Sequence, residues 1–108
     1  MSYEVISTPY FKKEAKKLLK RYISLQAELS SLSDELQENP TFGTPLGNDV
    51  YKIRLAIASK NKGKSGGARI ISFVKIIDKT VFLLAIYSKG ERDTISDKEI
   101  EVLLKGYV

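Results

Sequence analysis

Apolar residues recur along the chain with two different periods, and the changes of period divide it into helical and extended segments. Residues 3–7, "YEVIS", have the composition of a strand. Thr8 and Pro9 follow, and they are typical of a helix start: the threonine can cap the first turn, and proline fits the first helical position. The next apolar residues recur every three or four positions, as on one face of a helix: Phe11, Ala15, Leu18, Leu19 and Tyr22.

The helical period continues in a second segment and stops before Asn39-Pro40. Its apolar positions are Leu25, Leu29, Leu32 and Leu36. One unbroken helix of about thirty residues would be long for a small domain. We therefore expect a break near residues 22–24 and a hairpin of two helices. Residues 39–49, "NPTFGTPLGND", are dense in proline and glycine and predict a loop.

Three extended segments follow in close succession. Residues 50–58 alternate, with Tyr51 and Ile53 on one face and Lys52 and Arg54 on the other. Residues 68–76 and 80–87 are apolar on both faces for most of their length, which is typical of central strands. The turn between these two strands falls at Asp78-Lys79, and strands so close in sequence pair antiparallel. We expect the aromatic side chains of this region to lie in the core: Tyr51, Phe73 and Phe82.

The last element is a short helix that opens with a capping box, Ser96-Asp97-Lys98-Glu99, and turns Ile100, Leu103 and Leu104 inward. The predicted order is β-α-α-β-β-β-α. It indicates an α+β fold with an antiparallel or mixed β-sheet, two N-terminal helices and a short C-terminal helix, all helices packed on one face. At 108 residues the chain forms a single domain, 1–108.

The charge distribution says more than the net charge of +5. Residues 22–49 carry five acidic and no basic side chains, whereas residues 50–77 carry seven basic and no acidic ones. Such a cationic stretch favours a polyanionic partner. The chain also contains no histidine and no cysteine, which excludes a His–His ribonuclease, a cysteine-ligated zinc site and thiol catalysis.

Residues 59–70, "SKNKGKSGGARI", are the densest part of this stretch. A P-loop requires G-x-x-x-x-G-K-[ST] between a strand and a helix. Only "GKS" at 63–65 fits, since Ala58 stands where the first glycine belongs and the following residues are of β type. We interpret the segment as the basic loop of a hairpin. It would bring Lys52, Arg54 and Arg69 together across the sheet, where like charges repel unless an anion neutralises them. Phosphoryl chemistry there would use Lys, Arg and Tyr, because cations can stabilise a crowded phosphoryl transition state and lower the pKa of a neighbouring acid or base.

Three motifs carry a resemblance to a known family: "YKIRLA" at 51–56, "KGKSGGARII" at 62–71 and "FLLAIYSKGERDTISDKEI" at 82–100. In this order and spacing they resemble the RelE/ParE toxin superfamily, and within it the HigB-like, RelE-type toxins of bacterial toxin–antitoxin modules. The predicted order of elements also matches that family's fold.

The resemblance implies an endoribonuclease that enters the A site of the 70S ribosome and cuts mRNA without metal or cofactor. Attack by the RNA 2′-OH would leave a 2′,3′-cyclic phosphate. The residues that correspond to catalytic positions are Lys52, Arg54, Arg69, Tyr87 and Lys89, with Arg69 holding the scissile phosphate and Tyr87 stacking on a base or transferring a proton. RNA-binding positions would be Lys60, Lys62, Lys64 and Arg92. Glu91 could orient Lys89 or Arg69, and the assignment of general acid and base stays open.

The same resemblance implies a cognate antitoxin as partner. Two alternatives remain: a ParE-like toxin that inhibits DNA gyrase without cleaving RNA, and a module that binds RNA or the ribosome without cutting. The longest uncharged apolar run, residues 80–88, is too short to span a bilayer. With no export signal or disulfide framework, we expect a cytoplasmic protein that does not bind membranes.

Overall fold

The computed structural model describes residues 2–60, 66–92 and 94–108, which form five strands and three α-helices. The strands are β1 (Glu4–Ser7), β2 (Thr44–Gly47), β3 (Val50–Leu55), β4 (Ala68–Lys75) and β5 (Thr80–Ser88). The helices are α1 (Pro9–Arg21), α2 (Leu25–Glu38) and α3 (Asp97–Leu104). Among these residues no helix is long and apolar enough to cross a membrane.

The strands form one mixed sheet in the order β1-β5-β4-β3-β2. β1 lies parallel to β5, and the other neighbours are antiparallel. The predicted α+β class and element order are confirmed, with one addition. β2 lies within the segment predicted as a loop, where it pairs with the start of β3. β3 is shorter than predicted, because the chain leaves the sheet after Leu55 and forms a 3₁₀ turn at Ala58–Lys60.

The predicted helix boundaries are confirmed by their caps. The Thr8 hydroxyl accepts a hydrogen bond from the amide of Phe11 at 3.3 Å and donates one to the carbonyl of Leu83 at 2.9 Å. It therefore caps α1 and ties the helix start to β5. The predicted hairpin is present, since α1 ends at Arg21 and α2 begins at Leu25. The capping box of Ser96 and Glu99 begins α3, with both reciprocal hydrogen bonds formed.

The three helices do not share one face of the sheet, so that expectation is wrong. α1 and α2 pack on the first face against side chains that include Ile53, Ile70 and Ile86. α3 packs on the second face, where Ile100 belongs to a separate apolar cluster with Ile71 and other residues of β4 and β5. Because the two central strands are apolar on both faces, each face requires a cover.

Of the aromatic residues predicted for the core, Phe73 is buried, whereas Tyr51 and Phe82 are partly buried and pack against the core on opposite faces. Phe73 is buried and lies 6.3 Å from Phe82, ring centroid to centroid. Tyr107, just beyond α3, lies 4.8 Å from Phe82. Tyr51 is partly buried against the α1–α2 side. α3 and the residues after it thus cover the apolar end of the second face.

Candidate functional site

A row of polar side chains crosses the second face of the sheet. Arg54 on β3 lies opposite Arg69 on β4, and Arg69 lies opposite Tyr87 on β5. Side chains directly opposite each other on neighbouring strands have Cβ atoms about 4.5–5.5 Å apart. Lys52 precedes Arg54 by two residues, so it shares this face and lies opposite Ile71. The structure therefore brings these four predicted residues together on one face.

The row runs from the surface into the protein. Arg54 is exposed and Lys52 half-buried, whereas Arg69 is 5% and Tyr87 8% exposed. One guanidinium nitrogen of Arg69 donates to the carbonyl of Ala68 at 3.2 Å. The Tyr87 hydroxyl has no hydrogen-bond partner among the described residues. A buried hydroxyl without a partner costs about 1–3 kcal/mol, so this group is available to a ligand that reaches it.

Arg92 lies at the buried end of the row and is held by three contacts. Its guanidinium carbon lies 5.7 Å from the centre of the Tyr87 ring, and its Nε donates to the carbonyl of Thr94 at 2.8 Å. It also forms an ion pair with Glu99. The hydrogen bond between them raises the pKa of Arg92 and lowers the pKa of Glu99. Because Glu99 also completes the cap of α3, one carboxylate fastens both Arg92 and the helix start.

The segment directly after β5 differs in part from expectation. Lys89 is half-buried, and its backbone amide donates to the carbonyl of Gly67 at 2.9 Å. Glu91 does not orient Lys89 or Arg69 as expected: it pairs with Arg21 at the end of α1, at 2.6 Å. The hydrogen bond with Glu91 raises the pKa of Arg21. Arg21 was missed as a neighbour of this region, and no spacing in the sequence signals a contact over such a separation.

The basic loop is described only at its two ends. The Lys60 ammonium donates to the Ser88 hydroxyl at 2.7 Å and to the carbonyl of Lys89 at 2.8 Å. It is thus directed towards the protein, although an outward, RNA-facing ammonium was expected. Lys62 and Lys64 lie outside the described residues.

A groove of about 390 Å³ borders the site along the outer edge of β5. β1 pairs with β5 only as far as Leu83, so residues 84–88 have no neighbouring strand on that side within the described chain. One wall of the groove is α1, with Tyr10 and Leu18, and the other includes Arg92 and Ile95. Across the described ranges, no group of three or more acidic residues could hold a metal ion.

Known proteins resemble this chain in both sequence and structure. The family described as the RelE toxin of the RelE/RelB toxin–antitoxin system matches residues 4–106. A double arginine mutant of Escherichia coli toxin RelE in the free state is 20% identical, with a TM-score of 0.63 and all of both chains covered. Isolated E. coli RelE is 21% identical with a TM-score of 0.62, covering 94% of this chain and 96% of that one.

Two further structures contain an antitoxin. The toxin–antitoxin complex RelBE2 from Mycobacterium tuberculosis matches at 18% identity and a TM-score of 0.60, covering 82% of this chain and 100% of the other. The E. coli RelE mutant in complex with an antitoxin RelB peptide is 21% identical, with a TM-score of 0.62 and full coverage of both chains. These structural likenesses show the shared fold, and the family match covers nearly the whole sequence. The chain belongs to the RelE toxin family, the toxins of RelE/RelB toxin–antitoxin systems.

Proposed function

We propose that this toxin is a HigB-like mRNA endonuclease that acts in the A site of the ribosome, without a metal ion, and so inhibits translation in the cytoplasm. The observation that carries the proposal is the row of Arg54, Arg69 and Tyr87, with Lys52 beside it, on one face of the sheet. The row itself consists of two arginines and a tyrosine, and the neighbouring side chain is a lysine. Neighbouring cations repel one another in the free protein, whereas a bound RNA phosphate would neutralise their charge.

The reaction requires the 2′-oxygen of one nucleotide to attack the adjacent phosphorus while the bond to the 5′-oxygen of the next nucleotide breaks. The products are a 2′,3′-cyclic phosphate and a 5′-hydroxyl end, so one proton leaves the 2′-OH and one reaches the departing oxygen. In the proposal, Arg69 holds the phosphate and stabilises its developing charge, and Lys52 and Arg54 contribute further positive charge. Tyr87 and Lys89 are candidates for proton transfer.

The burial of Arg69 and Tyr87 adds a requirement. Both are more than nine-tenths covered in the free chain. A phosphate that contacts them must therefore displace neighbouring side chains when RNA binds. Arg92 is one such neighbour, since its guanidinium lies over the Tyr87 ring. We propose that Arg92 turns from Glu99 towards RNA in the bound state.

We also propose that a cognate antitoxin binds and inhibits this toxin. The support is the family match together with the two similar structures that contain RelE-type toxins with their antitoxins. Co-purification of the toxin with the product of the neighbouring reading frame tests this partner.

Primer extension on mRNA from cells that express the toxin tests the central proposal. New 5′ ends within codons, seen only during translation, are the expected result. Arrested translation without new ends would instead indicate a module that binds RNA or the ribosome. Continued translation with induction of the DNA damage response would indicate inhibition of DNA gyrase. Cells that express the Arg69→Ala toxin, which we expect to be inactive, supply the background.

The binding of single-stranded RNA should weaken as salt concentration rises. With about five phosphate contacts, the slope of log K against log[salt] is expected to be roughly −3.5. Fluorescence anisotropy with a labelled oligonucleotide, measured across a salt series, gives this slope. Replacing Lys62 or Lys64 by alanine should reduce its magnitude by about 0.7 for each lysine removed. A slope near zero would rule out electrostatic binding of the RNA backbone.

A further inference from the structure

The basic loop is fastened to the helical hairpin at its first end. The amide of Ala58 donates to a Glu28 carboxylate oxygen at 2.6 Å, and the amide of Ser59 donates to the Ser24 hydroxyl at 2.9 Å. The Ser24 hydroxyl in turn donates to Glu28 at 3.0 Å. The first two amides of the 3₁₀ turn at Ala58–Lys60 are therefore satisfied by the junction between α1 and α2. Amides at the start of a helical turn lack partners within it, so these contacts fix where the loop departs.

The end of β5 connects the two ends of the loop. At the first end, the Lys60 ammonium donates to the Ser88 hydroxyl and the Lys89 carbonyl, at 2.7 and 2.8 Å. At the second end, the Gly67 carbonyl accepts from the amide of Lys89 at 2.9 Å. Ser88 and Lys89 are thus held from both sides. They directly follow Tyr87, the buried residue at one end of the row.

The groups around the Lys60 ammonium all stabilise a positive charge. The ammonium is 5.7 Å from the centre of the Tyr22 ring, within the range of a cation–π interaction. Its two acceptors are a buried hydroxyl and a backbone carbonyl, and hydrogen bonds from a charged donor are stronger than neutral ones. An outward lysine that only contacts RNA would need none of these partners.

We propose that Lys60 is a positioning residue that holds the end of β5, and with it Tyr87 and Lys89, against the α1–α2 junction. The expected effect of Lys60 on the cleavage rate rests on the proposed function. Lys60 does not contact the scissile phosphate. It fixes the distance between the candidate proton-transfer groups and the start of the basic loop. A misplacement of about 1 Å in such groups can cost about 100-fold in rate.

The test compares Lys60→Met, which keeps the length of the side chain but removes the ammonium, with Lys60→Arg, which keeps a cationic donor. The first measurement is hydrogen–deuterium exchange of the free toxin. In the Lys60→Met variant, the amides of residues 58–60, 67 and 89 should exchange at least about tenfold faster than in wild type, because one charged hydrogen bond is lost. Lys60→Arg should stay near wild type. Adding Ser88→Ala to Lys60→Met should accelerate amide exchange little further, because both variants break the same hydrogen bond.

Cleavage kinetics on programmed ribosomes separate positioning from RNA contact. Lys60→Met should lower the maximal cleavage rate at saturating toxin about tenfold, with the half-saturating concentration and the salt slope unchanged, and Lys60→Arg should recover most of the rate. Lys62→Met is the matched comparison: we expect it to raise the half-saturating concentration and reduce the salt slope by about 0.7.

Two results would overturn the proposal. The first is unchanged amide exchange in Lys60→Met. The second is that Lys60→Met, like Lys62→Met, changes the half-saturating concentration and the salt slope but not the maximal cleavage rate. If wild-type toxin does not cut mRNA, the proposed function fails by that measurement alone. The exchange experiment uses no RNA, so it still decides whether Lys60 holds the end of β5.

Discussion

Replacing Arg69 by alanine is expected to lower the rate of mRNA cleavage on the ribosome by at least about 100-fold and to abolish growth arrest. The reason is its place in the row: Arg69 is the central residue, opposite Arg54 on one side and Tyr87 on the other. Loss of one preorganised donor to a developing negative charge typically costs 10²–10³ in rate. Single-turnover cleavage of an mRNA with a defined A-site codon measures the effect directly.

Because Arg69 is buried, its removal needs a check on folding. Thermal unfolding and binding of the antitoxin should show that the Arg69→Ala toxin keeps its fold. Arg69→Lys keeps a charge but not the planar fork of donors, and we expect it to recover only a small part of the rate.

Lys75 offers a matched control at the other end of β4. It pairs with Asp78 at 3.3 Å, beyond the apolar part of the sheet. Lys75→Ala removes one positive charge from the same strand and should leave cleavage near wild type. If Arg69→Ala arrests growth as strongly as wild type at equal expression, Arg69 does not hold the phosphate. Equal losses in both variants would indicate a general effect of net charge.

The second face of the sheet has an apolar end and a cationic end. α3 covers its apolar end, where Ile100 packs and Tyr107 contacts Phe82. The cationic row occupies the other end. Glu99 lies between them, since it caps α3 and pairs with Arg92. The position of α3 and the orientation of Arg92 are therefore linked, and a change in one is expected to affect the other.

The fold was predictable wherever a local pattern determines the structure. Thr8-Pro9 and Ser96-Glu99 start helices through contacts within one turn, so the sequence alone identifies them. β2 was missed because its four residues include a proline and a glycine and are all exposed. Its extended form comes from pairing with β3, which no local signal reveals. The face that α3 covers is also a tertiary property, although the apolar residues on both sides of β4 and β5 indicate that two covers are required.

The site was predictable in its composition and less so in its contacts. Strand alternation and hairpin pairing brought Lys52, Arg54 and Arg69 together, and the family resemblance added Tyr87. The structure has all four on one face. The inward ammonium of Lys60 was not predictable, because its acceptors are supplied by the end of β5, 28 and 29 residues away. Side-chain partners over such separations depend on the packed structure, which a local sequence pattern does not encode.

Gly67→Ala is expected to lower the free energy of unfolding by about 3 kcal/mol, the upper part of the range for a side chain forced into a packed region. A Cβ at Gly67 would collide with the backbone carbonyl oxygen of Leu55 and lie 3.0 Å from the Cα of Ala56. Backbone atoms cannot turn aside as a flexible side chain can, so β3 and the start of β4 would have to separate. The Gly67 carbonyl also accepts from the amide of Lys89, so that contact would shift as well.

Gly90→Ala is the control that measures backbone strain without a collision. Gly90 has a φ of +105°, but a Cβ there would meet nothing within 4 Å. The cost at Gly90 should therefore be the strain of a left-handed residue alone, about 1–2 kcal/mol. Urea unfolding of both variants, followed by circular dichroism, gives the comparison. A smaller loss for Gly67→Ala than for Gly90→Ala would mean that the two strands separate at little cost. The close approach of Gly67 to Leu55 would then not constrain the start of β4.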